Sequence, residues 1–193
     1  GSKIRNEQDF FNMSYMGQVQ SGNDNYDHIA DYHALRLPYG NGRNKVTLDN
    51  VLVNFNSNDV QESACMKFNL SGFPVSIVPV KVDLEYQAAS GGNSSVFYTH
   101  NYSPSYWNGA TPLGSTTSRL SLGLADFEPT QSLTAYLMMS SYPVKVENGG
   151  TFRVYVTDDK GKRYYCDKPI TRDATLNGGF VHQINARGEW KEA

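Results

Sequence analysis

SLTAYLMMSSYPVKVENGGTFRVYVTDDKGKRYYCDKPITRDATLNGGFVHQINARGEW, residues Ser132 to Trp190, decides the fold. Leu133–Met139 is an apolar run of the length of one strand buried on both faces. Glu147-Asn148-Gly149-Gly150 turns the chain, and Thr151–Thr157 alternates, placing Phe152, Val154 and Val156 on one face. Asp158-Asp159-Lys160-Gly161 reads as a hairpin loop with glycine in the left-handed position. Arg163–Cys166 returns, Asn177-Gly178-Gly179 turns again, and Phe180–Ala186 is the last strand. Nothing in the stretch has a helical period. The class is all-β, a β-sandwich with long loops and at most one short helix. That class suits binding or adhesive modules better than α/β catalysts.

The pattern extends upstream. Val46, Leu48, Val51, Val53 and Phe55 alternate across an expected bulge at Asp49-Asn50. Ala64, Met66, Phe68 and Leu70 share one face, with Cys65, Lys67 and Asn69 on the other. Val78, Val80, Val82 and Leu84 alternate in turn, and Pro79 within that run predicts an edge or a bulge. Short strands are expected at Tyr32–Leu37, Val96–His100 and Leu120–Leu124. In residues 3–20 the apolar Phe10, Phe11, Met13, Tyr15, Met16 and Val19 are expected to form a short helix or an irregular strand that covers one end of the core. The organisation is one β-sandwich domain over 1–193, with 1–44 an irregular N-terminal segment packed on it.

Composition narrows the function. The chain has 193 residues, net charge −2 and only 19% charged residues, with 17 glycines and 13 tyrosines. This is a composition of turns and exposed β-surface, without the basic footprint of a nucleic-acid binder. No stretch approaches the roughly 20 apolar residues of a membrane-spanning helix. Gly1-Ser2 reads as a cloning scar, so the natural N-terminus is expected to lie out of view, and the lack of an export signal in this sequence is no evidence for a cytoplasmic protein.

No nucleophile–base set, phosphate loop or cofactor motif is present, so the expectation is a protein that is not an enzyme and needs no cofactor. His28, Asp31 and His33 are close in sequence, and Asn23, Asn25 and Asp27 alternate as calcium-loop oxygens do. The glycine and the twelfth-position glutamate of such a loop are missing, and a solvated turn-rich loop is the plainer reading. Asp158 and Asp159 are expected to face water at a hairpin tip. The ligand-binding candidate is an aromatic loop: Tyr98, Tyr102, Tyr106 and Trp107 lie among Ser, Asn and Gly, joining rigid contact area to adaptable hydrogen bonds. Such rings either stack on sugars or fold back onto the sandwich. Cys65 and Cys166 are too far apart for a metal knuckle. They are either a disulfide closing a loop of about a hundred residues, worth ~4–5 kcal/mol in the chain-entropy treatment, or two buried thiols.

NEQDFFNMSYMG, VTLDNVLVNFNSNDVQESACMKFNL, VSIVPVKVDLEY, LTAYLMMSSYPVKVENGGTFRVYVTDDKGKRYYCDK and ATLNGGFVHQINARGEW follow one another in an order that resembles the fimbrillin-like surface lipoproteins of Bacteroidales-type Gram-negative bacteria. The resemblance covers about Glu7 to Trp190 and rests on pattern. It implies a transthyretin-like Greek-key sandwich, export to the cell surface and outer membrane, and a lipid anchor at an N-terminal cysteine absent here. It also implies a role in adhesion or in pilus (fimbrial) assembly, as subunit or anchor, by β-strand addition. The partners would be other pilus subunits, or host and cell-surface proteins or glycans. Family members commonly carry two such domains, so the chain would be a single-domain relative, an anchor-type subunit or a fragment. Strand addition needs a removable strand over an apolar groove; residues 4–19 or 180–190 are the candidates, and Arg5, Arg36 and Arg43 are candidate cleavage points. The alternative is a surface carbohydrate-binding module that uses the aromatic loop.

Overall fold

The computed structural model describes residues 14–35, 60–100, 115–140 and 142–193. The expected strand at Val46–Phe55, the apolar Phe10, Phe11 and Met13, and the arginines at 5, 36 and 43 lie outside them. What is described is all-β and sandwich-like, with one short 3-10 turn at Asp27–Tyr32.

The strands are β1 (Gln18–Ser21), β2 (His33–Leu35), β3 (Val60–Glu62), β4 (Ala64–Ser71), β5 (Pro79–Gln87), β6 (Phe97–Tyr98), β7 (Thr116–Thr117) and β8 (Arg119–Ala125). They continue as β9 (Ser132–Met139), β10 (Val144–Val146), β11 (Thr151–Asp158), β12 (Arg163–Pro169), β13 (Ala174–Leu176), β14 (Val181–Arg187) and β15 (Lys191–Glu192). A six-stranded sheet runs β1-β8-β5-β11-β12-β15, and a three-stranded sheet runs β14-β4-β9. Among the described residues there are also three short pairs, β10-β13, β2-β3 and β6-β7. Two pairings are parallel: β1 with β8 and β14 with β4.

The two large sheets bury one common core. Met66, Phe68 and Leu70 of β4 and Leu133 and Leu137 of β9 join Val82 and Leu84 of β5 and Val154 and Val156 of β11 in a single cluster. Period-2 alternation places these residues, and it places Lys67 and Asn69 on the opposite face, as the sequence predicts. Pro79 opens β5, which is a central strand, and the register with β11 shifts between Thr157 and Asp158, so the proline sits at a bulge. Gly161 adopts the left-handed conformation (φ 80°) expected of the hairpin loop.

The outer face of the six-stranded sheet is tied by ions. Arg153 grips Asp167 with two bonds of 2.7 and 2.9 Å, and Arg119 meets Glu85 at 2.5 Å. The Arg153 bond holds the Asp167 carboxyl below its usual range. For Glu85, burial alone would raise the pKa, but bonds from Gln87 and Arg119 and the charges of Arg119 and Arg153 pull it down. Tyr155 lies beneath the guanidinium groups of Arg119 and Arg163, at 4.7 and 4.3 Å from its ring centre.

The N-terminal strand reverses the sequence expectation. Tyr15 is fully buried, but Met16 and Val19 are exposed, while Gln18 and Gln20 are buried. The reason is the free edge of β9. Gln18 accepts from the Met138 N–H and donates to the Met138 carbonyl, both at 2.8 Å. Gln20 accepts from Tyr136 N–H at 2.9 Å and donates to the Thr134 carbonyl at 3.0 Å. His28 Nε2 lies 2.8 Å from the Tyr136 carbonyl, and Asn23 accepts from the Thr134 N–H at 2.8 Å. Side chains thus stand where another strand's backbone would, and β9's outer hydrogen-bonding groups are satisfied.

Candidate functional site

Strand β14 stands at the other edge of the three-stranded sheet. Cys65 N–H donates to the Phe180 carbonyl at 3.0 Å. In a parallel pair this phase turns the backbone groups of the even-numbered residues toward β4. The N–H and C=O groups of Val181, Gln183, Asn185 and Arg187 therefore point away, and no other described strand pairs with β14. This open edge is seven residues long, against two in β15 at the end of the larger sheet. Phe180 and Val181 at its start are 63% and 61% exposed.

A groove of about 340 Å³ opens along that edge. Both faces of β14 line it, with His182 and Ile184 from within and Gln183 and Asn185 from without. Its floor is apolar: Met66, Phe152, Ile170 and Leu176, drawn from both sheets and the short β13. An extended segment laid against β14 would find backbone partners at every second residue and an apolar floor for its inward side chains.

The sequence-derived candidates fall differently. Tyr98 is half-buried, and its ring meets Tyr142 edge-on at 4.9 Å; burial, then Tyr142, pushes its hydroxyl pKa up. Tyr102, Tyr106 and Trp107 lie outside the described residues. His28 is engaged with the Tyr136 carbonyl, and Asn25 and Asn23 make backbone bonds within and beside the 18–28 segment. Among the described residues no group of three or more His, Cys, Asp or Glu side chains converges as a metal site would. Asp158 corrects the expectation of a solvated tip. It is buried, and its Oδ1 accepts from the backbone N–H groups of Lys160 and Lys162 at 3.0 and 2.8 Å, bracing the hairpin, whereas Asp159 is exposed.

Cys65 and Cys166 are free thiols, both buried. Cys65 alternates with Lys67 on the outer face of β4, whereas Cys166 shares the inner face of β12 with Tyr164. Their side chains leave different sheets on different sides, so the pairing that the sequence left open is not made. Burial pushes the Cys65 pKa up to about 11 and raises that of Cys166, which leaves both as poor nucleophiles. A disulfide reagent at pH 8 is expected to leave both thiols unmodified in the native protein and to titrate two per chain in guanidinium without reductant. No reactive thiol in the unfolded, unreduced protein would refute the free-thiol assignment.

No protein-family model, curated protein or solved structure matches the chain. The functional reading rests on the residues and their geometry.

Proposed function

We propose that this chain is a non-enzymatic cell-surface subunit for adhesion or pilus assembly, which joins its neighbours by accepting an added β-strand at the edge of β14. The observation that carries the reading is the pairing of that unpartnered edge with the apolar groove beside it. Main-chain bonds would give the affinity and the groove the specificity. Contrast between the two edges of the small sheet supports it. The β9 edge is closed by Gln18, Gln20, Asn23 and His28, as edges are closed in proteins that avoid association. The β14 edge has no such cover among the described residues. The donor would come from another copy or a related subunit at the cell surface.

Gln183→Pro tests this directly. The Gln183 N–H faces away from β4, so proline removes a donor for the incoming strand without removing a ladder bond. His182 before it is already extended, as a residue preceding proline prefers. Size-exclusion chromatography with light scattering would be run at high concentration, with and without an Arg-specific protease that trims the N-terminal segment. Wild-type protein is expected to form a ladder of oligomers in at least one condition. The variant is expected to stay monomeric in both, with a melting temperature within roughly 5 °C of wild type. A wild type monomeric throughout, or a variant that assembles equally, would overturn the proposal.

A further inference from the structure

The outward face of the three-stranded sheet carries a second, polar groove of about 460 Å³. Strand register orders this face into three rows, and all their residues but Lys67 and Tyr136 line the groove. Gln183, Lys67 and Tyr136 form one row across β14, β4 and β9; Asn185, Asn69 and Thr134 form the next; Arg187, Ser71 and Ser132 form the third. Asn23 reaches in from the segment that caps β9.

The hydrogen-bond inventory of this face is unbalanced. Asn69 Nδ2 donates to Asn185 Oδ1 at 2.8 Å and to Gln183 Oε1 at 3.4 Å. Asn23 Oδ1 is taken by the Thr134 N–H. The NH₂ groups of Asn23, Gln183 and Asn185 therefore remain without a partner among the described residues. Arg187 makes no ion pair there either. Lys67 Nζ stands 5.7 Å from the centre of the Tyr136 ring and makes no ion pair among the described residues. Among the described residues no carboxylate lines the groove. Asp24 accepts from Tyr136 Oη at 2.6 Å, and Tyr136 stands in the row farthest from Arg187. Beside it the exposed Tyr26 ring stands edge-on to Tyr136 at 5.9 Å.

We infer that this face binds a carboxylated oligosaccharide, a chain of uronic acid units, with its carboxylate on Arg187 and its ring hydroxyls on the amides of Asn185, Gln183 and Asn23. Three features select that ligand. Planar amide donors meet the hydroxyl and ring oxygens of a sugar, an unpaired guanidinium takes a carboxylate through two parallel bonds, and an exposed tyrosine offers a face for a sugar ring at the far end. Two cations are too few for the phosphate backbone of a nucleic acid. The excess of donors over acceptors disfavours a neutral glycan. Gln183 and Asn185 line both grooves, but the inference is separable from strand addition: it uses side chains on the face and not backbone groups at the edge, and it is testable on the monomer.

The test is calorimetry on dilute monomer with tetrasaccharides of galacturonate, alginate and hyaluronan. The controls are methyl-esterified galacturonate, sulfated dextran and poly-glutamate. Binding to at least one uronate, weakened by esterification, is expected. Arg187→Ala should weaken it roughly tenfold to a hundredfold, as loss of a charge-assisted bond does. Arg187→Lys should retain part of the affinity, and Asn69→Ala, which releases the amides of Asn185 and Gln183, should weaken binding with the fold intact by thermal melting. Failure of all three uronates would overturn the inference. So would equal affinity for sulfated dextran or poly-glutamate, or uronate binding untouched by Arg187→Ala in a folded variant.

Discussion

Gln18→Leu is expected to destabilise the protein by about 3–5 kcal/mol, a large share of the ~5–15 kcal/mol that holds a typical domain. Gln18 is 3% exposed, and its amide makes three bonds of 2.8 Å, to the Tyr15 carbonyl and to both the carbonyl and the N–H of Met138. Leucine nearly matches its volume, so the packing of β1 survives. What is lost is the partner of three backbone groups, two of them on a strand whose other edge is already paired with β4. Each group left buried and unsatisfied costs about 1–3 kcal/mol, and local opening to water sets the lower end of the sum. Gln20→Leu should cost less, about 2–3 kcal/mol, because two of its three bonds, to the Gly22 and Thr134 carbonyls, are only partly buried. Guanidinium unfolding measures both. A Gln18→Leu change under about 1 kcal/mol would mean that the side-chain ladder on β9 contributes little.

Gly72→Ala is the second large effect, expected near 3 kcal/mol. Gly72 has φ 76°, and a Cβ there would lie 2.9 Å from both Cα and N of Gly188. A non-glycine residue in the left-handed region costs about 1–2 kcal/mol. The clash adds to that, because the obstacle is backbone and cannot rotate away. The contact matters to the whole end of the sandwich. Trp190 Nε1 donates to the Ser71 carbonyl at 2.8 Å, and its ring lies 4.8 Å from that of the buried Phe73. Pushing Gly188 away disturbs both. Gly161→Ala is the control: φ is 80°, but nothing lies within 4 Å of the added methyl. Its expected effect is only about 1 kcal/mol. Equal effects in the two variants would remove the close approach as the cause.

The core strands were legible because their signal is local. Phe152, Val154 and Val156, or Met66, Phe68 and Leu70, declare their face by alternation alone. The segment at Gln18–Ser21 was not, because alternation names the apolar side and not the buried one. Val19 faces out and the glutamines face in, for reasons that lie on β9, more than a hundred residues away. The signal that was present is Gln-x-Gln on a short strand, two amides at the spacing of one strand face. The open β14 edge also depends on a long-range fact, the parallel pairing with β4, which Phe180–Ala186 does not announce. Tyr98 stands in aromatic company in the sequence, and among the described residues its ring meets Tyr142, which the sequence could not place beside it.

Amide hydrogen exchange at β14, compared between monomer and oligomer, tests strand addition most directly. Val181, Gln183 and Asn185 should exchange fast in the monomer, where their N–H groups face away from β4, and become protected on assembly. His182, Ile184 and Ala186 should be protected in both states by their bonds to β4. Oligomers whose odd-numbered β14 amides still exchange as fast as in the monomer would contradict the account.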